Sequence, residues 1–62
     1  MNNWRVWQVG DKIKYSWDEF DGKGSLIGTL TEAAADHAIV RAEGMNLWVE
    51  DFNADMFERI SR

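Results

Sequence analysis

Sixty-two residues without a cysteine or a proline allow one domain and exclude a disulfide framework, a cysteine zinc site and a thiol nucleophile. Eleven acidic against seven basic residues give a formal net charge of −4, which repels polyanions, so nucleic acid is not an expected partner. No apolar run approaches the roughly 20 residues that span a bilayer, and residues 1–5 do not open onto a signal-peptide apolar region; a cytoplasmic chain without membrane contact is the expectation.

In chain order, Trp4 and Val6 share one parity and Trp7 and Val9 the other. That predicts an amino-terminal arm or edge strand over residues 1–9, with at least one of its tryptophans exposed or covering an edge. Gly10-Asp11 is a turn signal. Ile13, Tyr15 and Trp17 then alternate with Lys12, Lys14 and Ser16, the pattern of a half-buried strand. Asp18 to Gly24, acidic and glycine-rich, predicts a long excursion between strands. Gly24-Ser25-Leu26-Ile27-Gly28-Thr29-Leu30 carries β-favouring residues on both parities, which predicts a central strand covered on both sides, with Gly28 at a coil or a close backbone approach. Glu32-Ala33-Ala34-Ala35-Asp36 is too short for a stable helix and predicts a connection.

His37 to Glu43 is a strand with Ala38, Val40 and Ala42 as a small-residue face. Glu43-Gly44-Met45-Asn46 is a hairpin turn with Gly44 free to take positive φ. Leu47-Trp48-Val49-Glu50 returns with Leu47 and Val49 on the buried parity, which leaves Trp48 as the best candidate for an exposed aromatic. Asn53 to Met56 suits a single 3₁₀ turn, and Phe57-Glu58-Arg59-Ile60 closes the chain as a last strand. The sum is an all-β, SH3-like five-stranded barrel over residues 10–62, with a short 3₁₀ turn before the last strand.

Gly10-Asp11-Lys12-Ile13, Gly24-Ser25-Leu26-Ile27-Gly28, Ala38-Ile39-Val40 and Phe57-Glu58-Arg59-Ile60 resemble the signposts of small bacterial SH3-like barrels. The similarity is nearest to the plasmid-borne type II dihydrofolate reductases and runs from Gly10 onward. That resemblance implies a small bacterial, phage or plasmid protein. It also implies a homotetramer with a central pore, in which a Val-Gln-Ile-Tyr stretch and a lysine meet folate and nicotinamide. The corresponding residues here are Leu47-Trp48-Val49-Glu50, and the pore lysine falls on Tyr15. An acidic Glu50 repeated by symmetry would repel two polyanionic ligands, so neither reductase chemistry nor a cofactor is expected.

Other chemistry is scarcer. His37 is the sole histidine, so no triad can be built within one subunit. The stretch from Asp18 to Ser25 has the outline of a calcium loop, but Lys23 occupies a ligand position and Leu30 stands where the bidentate glutamate belongs. Glu19 and Asp21 share a parity without the burial that separates the pKa values of a catalytic pair. No catalytic or metal-ligating residue is assigned. The aromatics remain, and large rigid rings concentrate at protein interfaces. Trp48, Trp7, Trp4, Tyr15 and Glu50 form the expected partner-binding set, with Asp18, Glu19 and Asp21 as an acidic rim suited to a basic or proline-rich peptide or to a second copy of the chain. The leading expectation is a non-enzymatic protein-interaction module that forms a homo-oligomer. Two alternatives stand beside it: a divergent reductase-like homotetramer with a ligand-binding pore, and an acidic inhibitor mimicking nucleic acid.

Overall fold

The computed structural model describes residues 3–20 and 22–62. The chain is all-β. Strands β1 (Lys12–Glu19), β2 (Gly22–Ala33), β3 (Ala38–Ala42), β4 (Met45–Val49) and β5 (Phe57–Ser61) form one antiparallel sheet in the order β4-β3-β2-β1-β5. A 3₁₀ turn at Ala54–Met56 precedes β5, as expected. No helix among the described residues is long and apolar enough to cross a membrane.

The alternating strands bury one parity. Ile13, Leu30, Ala38, Val40, Val49 and Phe57 meet on the inner face together with Ala54 from the 3₁₀ turn. Gly28 lets β2 and β3 come close together beside them. A Cβ there would fall 2.4 Å from the Arg41 carbonyl oxygen and 2.8 Å from the Ala42 Cβ, so β2 and β3 approach as only a glycine permits. Register shifts between Leu30 and Glu32 and between Lys12 and Ile13 add the local bending that bulges supply. At the β3–β4 hairpin, Glu43 (φ 50°) and Gly44 (φ 80°) link the paired residues Ala42 and Met45, the two positive φ angles that match strand twist.

Three expectations need correction. The stretch around Ile27 is covered on one side only, since Ile27 is 59% exposed. Residues 18–24 are not a long loop: β1 and β2 stay paired as far as Glu19 and Gly22, and Asp21 lies outside the described residues. Gly24 misled because its purpose is packing. A Cβ there would sit 2.6 Å from Cζ2 of Trp17, its cross-strand partner, so the glycine leaves room for an indole.

The third correction concerns the amino-terminal arm, where Trp4–Val6 is a 3₁₀ turn and not a strand. Three residues per turn put Trp4 and Trp7 on the same side, and both enter the core, 3% and 7% exposed. Polar contacts fasten the turn to the far end of the chain. Trp4 Nε1 donates to Asp51 Oδ1 at 3.0 Å, and Arg5 grips both Asp51 oxygens at 2.9 and 3.0 Å while stacking over the Trp4 ring. This hydrogen bonding holds the Asp51 carboxyl below its ordinary range, with Arg5 the larger cause and Trp4 the lesser. The following turn closes on Asp11, a buried carboxylate that accepts the Gln8 N–H at 2.8 Å and lies 3.6 Å from Arg59 Nη1.

Candidate functional site

The outer face of the sheet is where side chains remain available, and the register arranges them in rows. Glu32, Ile39 and Trp48 align across β2, β3 and β4. Lys12, Thr29, Arg41 and Asn46 form the next row, and Lys14 stands between Ile27 and Glu58 in the row beyond. Trp48 remains 52% exposed although its neighbours Leu47 and Val49 turn inward. The out-of-phase reading of this residue therefore matches its position.

His37 fixes that indole. It lies two residues before Ile39, the cross-strand partner of Trp48, which makes it a diagonal neighbour within reach of an aromatic ring. The two rings stack with centroids 4.5 Å apart and planes 23° from parallel. His37 is held in turn by Asp36 at Nδ1, 2.9 Å away, and by Glu32 at Nε2, 2.5 Å away. Hydrogen bonds to Asp36 first and Glu32 second raise the imidazole pKa above its ordinary 6.5, and the same contact with His37 lowers that of Asp36. Two carboxylates thus orient an imidazole, which orients an exposed indole. From the other side, Asn53 Nδ2 donates to the Trp48 carbonyl at 2.8 Å, while Asn53 Oδ1 accepts the Glu50 N–H at 2.7 Å.

The remaining expected site residues do not gather around Trp48. Trp4 and Trp7 are sealed in the core. Tyr15 points to the inner face, its ring 4.8 Å from Phe57 and 5.5 Å from Trp17. Glu50 is half-buried just beyond β4. Asp18 and Glu19 sit at the β1–β2 hairpin end, where Glu19 pairs with Gly22. Gly22 and Glu32 are ten positions apart on β2, roughly 30 Å at the usual rise. The acids close to Trp48 are instead Glu32 and Asp36, which sequence reasoning missed along with their histidine. Their only signal was two carboxylates flanking the lone histidine of a short connection. Among the described residues, no group of three or more histidine, cysteine, aspartate or glutamate side chains is disposed to hold a metal ion. No family model matches this chain, and no curated protein or solved structure matches it significantly.

Proposed function

We propose that this chain is a non-enzymatic protein-contact module with an SH3-like barrel architecture, which binds a protein surface or a second copy of itself through the outer face centred on Trp48. One observation carries the reading: an indole left half exposed and yet locked in orientation by the His37 stack. An anchor that is already oriented loses little conformational freedom on binding, so most of its contact area contributes to affinity. Ile27 adds exposed apolar area on the same face, and the five-strand order with its 3₁₀ turn before β5 is consistent with an SH3-like chain path. The mimic reading loses ground. Asp11 and Asp51 are engaged with arginines, Glu32 and Asp36 with His37, and Asp18 and Glu19 stand apart at the hairpin end, so the acids do not form one face.

The test is Trp48→Ala, read by solution mass and by thermal melting. The expected outcome is an assembly that falls apart on substitution while the melting temperature stays near that of the parent chain, because the ring lies outside the core. An assembly indifferent to the substitution would refute the proposal, as would a parent chain that is monomeric at high concentration and makes no Trp48-dependent protein contact.

A further inference from the structure

The β1–β2 hairpin reaches past the rest of the sheet. β5 pairs with β1 only from Lys12 to Tyr15, and β3 pairs with β2 only from Thr29 to Ala33. The rungs Ser16–Ser25, Trp17–Gly24, Asp18–Lys23 and Glu19–Gly22 therefore form a two-stranded ribbon with no sheet neighbour on either side. Such a ribbon is marginal in water by itself. At its end Phe20 is fully exposed, next to the exposed Asp18 and Glu19. A projecting arm that ends in an aromatic ring flanked by carboxylates is shaped to enter something else.

The complementary surface lies on the same molecule. Of the seven basic residues, Arg5 is engaged by Asp51, Arg59 faces Asp11, and Lys23 stands on the arm opposite Asp18, which leaves Glu19 without a cation across its rung. Lys12, Lys14 and Arg41 lie together on the outer face, beside the Ile39–Trp48 row. Lys12 Nζ donates to Thr29 Oγ1 at 3.0 Å and Arg41 Nη1 to Asn46 Oδ1 at 3.2 Å, so neutral partners hold these cations in place without cancelling their charge. The anions on this side are Glu58 at the β5 edge, opposite Lys14, and Glu32 and Asp36, both of which His37 already engages. An acidic chain thus keeps a cationic, aromatic face at one place and an acidic, aromatic tip at another.

We propose that the occupant of the Trp48 face is the β1–β2 arm of a second copy, with Phe20 packing against the Trp48 and Ile39 surface and Asp18 and Glu19 meeting Lys12 and Arg41. The contact joins unlike surfaces, so it closes either as a reciprocal exchange of arms or as a ring, and without closure it propagates. It rests on the reading of the outer face as the binding surface and names what binds there.

Sedimentation equilibrium on the intact chain tests it, with folding of every variant checked by circular dichroism. The parent chain should self-associate, and more weakly in high salt because the charges involved are exposed. Phe20→Ser, at a position that contributes nothing to the core, should weaken association about 10- to 100-fold, the effect of losing one buried phenylalanine contact. Asp18→Lys with Glu19→Lys, and separately Lys12→Glu with Arg41→Glu, should each yield monomers. Mixing these two variants should restore a complex, since one supplies a native face and the other a native tip. A monomeric parent chain overturns the proposal. So does an assembly that survives the tip variants; if that assembly is still lost with Trp48→Ala, the outer-face reading stands and only the arm is wrong.

Discussion

Gly28→Ala is the sharpest test of how closely β2 and β3 approach. The added Cβ would meet the Arg41 carbonyl oxygen at 2.4 Å, the Ala42 Cβ at 2.8 Å and the Arg41 carbonyl carbon at 2.9 Å. Two of these are backbone atoms of β3, so relief requires separating β2 from β3 where Thr29 pairs with Arg41. Overpacking of this kind costs about 3 kcal/mol at the upper end of its usual range. The lower chain entropy of alanine returns about 0.5–1 kcal/mol, leaving a net loss of about 2 kcal/mol. At about 0.05–0.15 kcal/mol per residue, a chain of 62 residues has about 3–9 kcal/mol of stability in all, so the loss is a large share of it. With an unfolding entropy of about 2.1 cal/mol/K per residue, the midpoint should fall by roughly 15 °C. Urea and thermal unfolding followed by tryptophan fluorescence measure both quantities. Gly22→Ala is the control: nothing lies within 4 Å of its added Cβ, and its stability should stay within about 0.5 kcal/mol of the parent. A Gly28→Ala chain as stable as that control would refute the close approach of the two strands.

Two further predictions concern the histidine bracket and the amino-terminal turn. Because the folded pKa of His37 is raised, its ion-pair stabilisation is complete below the unfolded value of about 6.5 and is lost as pH rises through the higher folded value; the lowered pKa of Asp36 removes it again in strong acid. A ring-proton NMR titration should show His37 titrating above 6.5 with a parallel change in Trp48 fluorescence, and a midpoint at or below 6.5 would disprove the bracket. Removal of residues 1–7 should unfold the chain. Each lost buried tryptophan costs about 3–5 kcal/mol, so the pair matches or exceeds the total available, and a truncated chain with a cooperative melt near that of the parent would contradict the burial of Trp4 and Trp7.

The strands were legible in the sequence where one face is dry and the other wet. Ile13, Tyr15 and Trp17, then Ala38, Val40 and Ala42, then Leu47 and Val49 all obey a period of two, because a register slip would move the whole apolar set into water. The parity of Trp48 could be read for the same reason. Glycine was legible at Gly44, where positive φ is the requirement, and at Gly28, where a strand pattern continues on both sides. It was ambiguous at Gly22 and Gly24. A glycine that opens space for a ring leaves the same mark as one that turns the chain, and only the pairing of Gly24 with Trp17 separates the two.

Trp4 and Trp7 show why the amino terminus and the site were misread together. Positions i and i+3 fall on opposite faces of a strand and on the same face of a 3₁₀ turn, and a single turn is too short for periodicity to choose between them. Tertiary bonding chooses. Asp51, 47 residues away, accepts the Trp4 N–H and clamps Arg5, which fixes the tighter geometry and draws both indoles inward. Once those rings are in the core, only Trp48 among the sequence's candidate anchors remains on the outer face, and what holds it is equally non-local. Glu32, His37 and Trp48 meet because a bulge in β2 sets Glu32 opposite Ile39. Acids adjacent in sequence at the hairpin end cannot serve as its rim across roughly 30 Å of strand. Within one molecule those hairpin acids and the Trp48 face therefore cannot touch, and only the proposed contact between two molecules would bring them together.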